Sequence, residues 1–218
     1  MIKSEHSKNH NSFFENPQLN QLVDLSLQNL DNDVFLNIIT LITLKSLGQI
    51  EKNISLCKAD PDCLDVTIYN DILSIFEKIF TETSSSNLRG AFLELLTFKF
   101  INKKYNPYQS DFDCYVITNG IKSEKTVDVF ALCENFKGIV CECKLSHTNL
   151  KDSHLSNLNK IYHNSEKILV PYIIALSKRE LVDEALNQIV ENHDNNTFVY
   201  LGEVNIISNS NLSDFFNF

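Results

Sequence analysis

No glycine-rich Walker loop, no dinucleotide fingerprint and no G-x-S-x-G elbow occurs in these 218 residues. Nucleotide-driven and acyl-transfer chemistry therefore lack the loops that would cradle a phosphate or present a serine. No stretch is long enough for a membrane span: the most apolar run, Val34 to Leu44, is short and interrupted by Asn37, Thr40 and Thr43. That run reads as a buried core helix, with a dimer or partner contact as the alternative. A broad basic face is missing too. The net charge is −9, distributed as −6 over residues 1–85, +2 over 86–176 and −5 over 177–218. A strong stand-alone nucleic-acid binder would carry the opposite sign. This balance fits weak binding, binding with a partner, or short or single-stranded ligands. Neither a signal peptide nor an internal repeat is visible.

What is present lies in the middle of the chain. Residues 125–133 and 138–146 are short, apolar and β-branched, and both read as strands, separated by a turn at Glu134 to Gly138. Asp128 lies in the first strand, and Glu142-Cys143-Lys144 in the second. Alternate side chains of a strand share a face, so Glu142 and Lys144 point one way and Cys141 and Cys143 the other. An antiparallel hairpin with Cys133 opposite Lys137 puts Val129 opposite Cys141, Asp128 opposite Glu142 and Thr126 opposite Lys144. Directly opposed residues have Cβ atoms about 4.5–5.5 Å apart. Two carboxylates so close repel unless a cation lies between them, and a divalent ion would remove the cost. The plain alternative is a solvated face of a half-buried sheet. Against it stand the apolar neighbours Val127, Val129, Ala131, Ile139, Val140 and Cys141, which suggest a strand covered on both faces. Charges in such a strand need a partner or a metal.

A helix over 87–104 precedes these strands, with N-cap candidates in Ser84-Ser85-Ser86-Asn87. Glu94 sits in it among Ala91, Phe92, Leu93, Leu95, Leu96 and Phe98, an unusual setting for a carboxylate. Its alternative reading is an ordinary glutamate at the edge of an amphipathic stripe. Gly90, one turn earlier, would leave room for a close backbone approach. Six cysteines raise the question of zinc. In the hairpin register, however, Cys133 falls about 13 Å along the strands from the partner of Cys141, too far to share an ion with it. Free, mostly buried thiols in a reducing compartment, and hence a cytoplasmic protein, are expected instead.

Glu94, Asp128, Glu142 and Lys144 in this order resemble the PD-(D/E)xK nuclease superfamily, the restriction-endonuclease-like proteins. The resemblance covers residues 86–176. Its core order of helix, three-strand meander, helix and strand would be met by helix 87–104, strands 113–118, 125–133 and 138–146, helix 153–165 and strand 168–176. Val127 stands where the name-giving proline would be. Pro171 should demote the last strand to an edge, a strand start or a bulge. The resemblance implies an α/β fold and a metal-dependent nuclease acting in restriction, mobile-element defence or repair. It implies Mg²⁺ or Mn²⁺ held by Asp128, Glu142, the backbone carbonyl of Cys143 and Glu94. Lys144 would orient or deprotonate the attacking water, or stabilise developing charge. His154 and Asn157 are weak candidates for phosphate contacts, a plain helix surface being the alternative. The competing class is a catalytically silent module of the same fold that binds a partner or nucleic acid.

The expected organisation is a polar tail over 1–16, a helical region over 17–85 and a nuclease-like domain over 86–218. Helices are predicted at 18–30, 34–52 and 66–82, with a break at 58–62. Beyond Lys178 a helix over 179–192 and a strand over 197–201 should follow, then a polar tail with Phe215, Phe216 and Phe218. The expected partner is nucleic acid, DNA ahead of RNA, with the helical region offering a homodimer or protein contact, and no membrane.

Overall fold

The computed structural model describes residues 1–7, 12–60, 66–82, 85–134, 138–191 and 203–217. The turn at 135–137, the strand expected at 197–201, Ser84 and Phe218 lie outside them. The chain divides into two compact units, Ser12–Leu96 and Met1–Asn11 with Thr97–Phe218.

The first unit is helical: α1 (Pro17–Gln28), α2 (Asp33–Thr43), α3 (Leu47–Ala59), α4 (Val66–Thr81) and the start of α5 (Ser85–Tyr105). Local chemistry sets each start. Asn16 accepts the Leu19 N–H at 2.9 Å ahead of Pro17, and Asn32 accepts that of Val34 at 2.9 Å. The single helix expected over 34–52 is two. At Leu44 the backbone turns extended, and Ser46 restarts the helix by accepting the Gln49 N–H. The Gln49 side chain accepts the Lys45 N–H at 3.1 Å in return, a reciprocal cap one residue displaced from the usual pairing. Arg89 closes the break by donating to the Leu44 and Ile42 carbonyls at the end of α2. Phe35, Ile38 and Ile42 on α2 are fully buried, so the apolar run is a core helix. None of the helices among the described residues is long and apolar enough to cross a membrane.

The second unit is built on a seven-stranded sheet in the order β1-β2-β4-β5-β6-β7, with β3 paired to β2. Its strands are β1 (Ile2–His6), β2 (Gln109–Thr118), β3 (Ile121–Lys122), β4 (Val127–Leu132), β5 (Gly138–Lys144), β6 (Leu169–Ala175) and β7 (Asn205–Ile207). Helices α6 (Asp152–Asn164), α7 (Arg179–Glu191) and α8 (Leu212–Asn217) alternate with the later strands. Inside the expected polar tail, Ile2–His6 forms an edge strand running antiparallel along β2. Strand β2 begins four residues earlier than expected, because Gln109–Phe112 pair with Val129–Leu132. With α5, the antiparallel β2, β4 and β5, then α6 and the parallel β6, the chain has an α/β fold with the expected order of helix, three-strand meander, helix and strand.

Two features of the sheet position the site. The β4–β5 ladder pairs Val129 with Cys141 and Ala131 with Ile139, the expected register, and closes tightly at Gly138. A Cβ at Gly138 would lie 2.6–2.9 Å from Leu169, Leu132 and the Ala131 carbonyl, so only glycine fits. Gly90, by contrast, would meet nothing within 4 Å, and the close approach expected there is not found. Pro171 lies within β6, third in the strand, flanked by β5 and β7. Its carbonyl accepts from the Asn205 side chain at 3.3 Å, so this residue faces the β7 side. Pairing with β7 begins only at Tyr172, and the missing N–H interrupts no ladder bond.

Candidate active site

Asp128 is the point where the sheet opens. The bonded β4–β5 ladder stops at Val129 and Cys141, so Asp128 and Glu142, next in the register, are not joined by ladder hydrogen bonds. On its other flank, Phe112 pairs with Val129 and Cys114 with Val127, but the intervening Asp113 takes a left-handed φ of 42° and drops out of the ladder. Aspartate tolerates that conformation better than most residues. Released on both sides, Asp128 turns its carboxylate across the gap. Its Oδ2 accepts the backbone N–H of Cys143 at 2.6 Å, replacing a strand-to-strand bond with a side-chain one.

Glu142 and Lys144 leave β5 on one face, two residues apart. The Lys144 ammonium lies 2.5 Å from Glu142 Oε1, 3.2 Å from Asp128 Oδ2 and 3.1 Å from the Cys143 carbonyl. One cationic centre thus meets three oxygens from two strands. Burial pushes the Glu142 carboxyl up to about 7, helped by the charge of Asp128 and opposed by that of Lys144. For Lys144 burial disfavours the charge, but Asp128 and Glu142 outweigh it and hold the ammonium above the usual lysine range. Two carboxylates in a nearly closed site are therefore under-compensated by one lysine.

Those three oxygens are hard donors of the kind that Mg²⁺ or Mn²⁺ takes, and a single cation reaches them all. Among the described residues no group of three His, Cys, Asp or Glu side chains is placed to hold a metal. The available set is thus two carboxylates and a main-chain carbonyl, with further positions left to water. Glu94 lies on α5 in the helical unit, half-buried between the buried Leu93 and Leu95.

The two weak candidates on α6 are not plain surface. His154 is mostly buried, with Nε2 3.5 Å from Glu142 Oε1. Its Nδ1 accepts the Lys151 N–H at 3.2 Å at the start of the helix, which leaves the proton of the neutral ring on Nε2, facing the carboxylate. Burial, then the charges of Lys144, Lys125 and Lys151, press the His154 imidazole down to about 4, so it is neutral at ordinary pH. Asn157 is buried, its amide spent on the main chain entering β4. It accepts from Lys125 N at 3.3 Å and donates to the Lys125 and Thr126 carbonyls at 3.3 and 3.4 Å.

The opposite face of β5 carries the thiols. Cys143 Sγ lies 3.7 Å from Thr97 Oγ1, and among the described residues Cys57, Cys114, Cys133, Cys141 and Cys143 are thiols outside any disulfide. Sequence reasoning missed the bend at Asp113 and the roles of His154 and Asn157. The one available signal was that α6 brings polar residues at positions 154 and 157 to a helix face otherwise made of Leu155, Leu158 and Ile161.

No protein-family profile and no curated protein matches the chain. Solved structures do. Protein VC1899 from Vibrio cholerae is similar over 99% of this chain and 57% of its own, at 14% identity and a TM-score of 0.50. Can2 from Sulfobacillus thermosulfidooxidans, solved in complex with cyclic tetra-adenylate, is similar over 98% of this chain and 54% of its own, at 13% identity and a TM-score of 0.47. The chain therefore spans little more than half the length of either. The restriction endonuclease PspGI, solved with substrate DNA, aligns over 99% of this chain and 97% of its own, at 11% identity and a TM-score of 0.40. At these identities the likeness is one of fold.

Proposed function

We propose that the chain is a metal-dependent nuclease that hydrolyses phosphodiester bonds, with Asp128, Glu142 and Lys144 at its centre. The observation that carries this reading is the convergence of Asp128 Oδ2, Glu142 Oε1 and the Cys143 carbonyl on one cationic point. Asp128, Glu142 and that carbonyl would hold Mg²⁺ or Mn²⁺, with Glu94 as the fourth member implied by the family resemblance. Bound there, a hard divalent ion supplies Lewis acidity toward a phosphate oxygen. Asp128 is fixed by the Cys143 N–H. Glu142 faces Lys144 and the Nε2–H of His154, so both carboxylates are oriented before any ligand arrives. Lys144 holds its proton and offers an ammonium to the charge that develops on the phosphate.

The test is direct. The purified chain is incubated with circular DNA, single-stranded DNA and RNA, with Mn²⁺ and separately with EDTA. Cleavage of at least one substrate in Mn²⁺ and of none in EDTA is expected. Cleavage unaffected by EDTA, or none on any substrate, would contradict the reading.

A further inference from the structure

We infer that Lys125 and Lys151 form a two-point clamp for the phosphodiester backbone of a nucleic acid, one on each side of the Asp128–Glu142–Lys144 centre. The inference deepens the proposed function and rests on that reading for what the clamp serves.

Both lysines are exposed, and both are held in place through their main chains rather than their side chains. Lys125 precedes β4, three residues before Asp128, and its N–H and C=O are both bonded to the buried Asn157 of α6. Lys151 sits at the start of α6, seven residues after Lys144, and its N–H is bonded to His154 Nδ1. His154 and Asn157 are neighbours one helical turn apart on α6, and His154 also faces Glu142 Oε1. One turn of α6 thus fixes two lysine-bearing backbones, one of them through the histidine that faces Glu142, while both lysines stay exposed. Their charges reach the same place, since both act on the His154 ring.

Other lysines nearby are engaged. Lys122 pairs with Glu5 at 2.6 Å and Lys160 with Glu124 at 2.7 Å, whereas the ion pairs among the described residues include neither Lys125 nor Lys151. On a chain of net charge −9, two exposed lysines outside those ion pairs and beside an acidic centre fit a polyanion that must approach it. Two ammonium groups fixed in this way would hold the phosphates on either side of the one brought to Lys144. Such contacts position a backbone without reading its sequence.

The clamp is tested by binding with EDTA present, so that affinity is read without cleavage. Fluorescent single-stranded DNA, duplex DNA and RNA of one sequence are titrated with the parent, Lys125→Gln, Lys151→Gln, the double variant and Lys160→Gln. The expected result, on whichever strand type the parent binds, is a loss of about 3- to 10-fold per clamp lysine, more for the double variant, and no change for Lys160→Gln. The slope of log affinity against log salt should fall by about 0.7–0.9 per lysine removed. Unaltered affinity and slope in the double variant, a loss equal to that of Lys160→Gln, or no binding of any strand by the parent would each overturn the clamp. Cleavage assayed alongside in Mn²⁺ separates the two ideas. A parent that cuts while the double variant binds normally sinks the clamp alone, and a parent that binds through these lysines but never cuts sinks the nuclease reading alone.

Discussion

The two faces of β5 carry opposite chemistry at nearly equal burial. On one side Cys141 is fully buried and Cys143 is 4% exposed; on the other Glu142 is only 6% exposed. Burial raises the Cys141 thiol far above its ordinary range and keeps it neutral, with Asp128 and Glu142 adding to the effect. On the other face burial acts on Glu142 in the same direction, but Lys144 opposes it. A charge is tolerated in this strand only where a partner was built for it. The thiol face therefore reads as packing, and the carboxylate face as a site.

The sharpest way to break the comparison is to remove one member of the charged face. Glu142→Ala and Lys144→Ala should each lower cleavage by about 10²-fold or more, while Cys143→Ala should leave it within a few-fold because only the Cys143 backbone serves the site. Cleavage rates measured under single-turnover conditions check this, and equal losses for all three variants would erase the distinction between faces.

A second test places a charge on the wrong side. Cys141→Asp buries a carboxylate that has no cation to meet, which should lower the melting temperature by about 10 °C or more. Cys141→Ala removes only a sulfur and should cost about 1 kcal/mol. Circular-dichroism melts decide it, and a well-tolerated Asp would show that the thiol face is as polar as its opposite.

Much of this was legible in the sequence, and the limits have physical causes. The Val129–Cys141 register and the shared face of Glu142 and Lys144 follow from strand periodicity, which local residues dictate. The break inside 34–52 depends on capping by Ser46 and on Arg89 arriving from a distant helix, so apolar spacing alone runs straight through it. Strand β1 was hidden because Ile2–His6 is polar and becomes a strand only by pairing with β2. The opening at Asp128 needs the left-handed turn of Asp113, a backbone choice with no periodic signature. His154 and Asn157 acquire their roles from what α6 packs against, which spacing within the helix does not specify.

The far end of the hairpin gives a third, smaller effect. Gly138→Ala must push Leu169, Leu132 or the Ala131 carbonyl aside, at a cost of about 1–3 kcal/mol. It should lower the melting temperature yet leave the Mn²⁺ affinity of the folded protein unchanged, because the strain falls at the closed end of the ladder. A loss of affinity at full folding would mean that the two ends are coupled.

The smallest effect is one of pH. With Glu142 raised from its ordinary value to about 7, the folded chain favours the protonated carboxyl. The associated stability is complete below the unfolded-state value and is lost as pH rises through about 7. Glu142→Gln cannot ionise. In EDTA its melting temperature should match the parent in mild acid and exceed it by about 5 °C above neutrality. A difference independent of pH would remove the under-compensated charge from the account.

Calorimetric titration with Mn²⁺ at neutral pH decides whether Asp128 and Glu142 hold a metal ion. The parent should bind the ion, Glu142→Ala should lose it, and Lys144→Ala should retain it, since the lysine occupies the meeting point of the oxygens without being a ligand. A parent that takes up no Mn²⁺, or a Glu142→Ala variant that binds it as tightly as the parent, would contradict the assignment of these residues to a metal-dependent site.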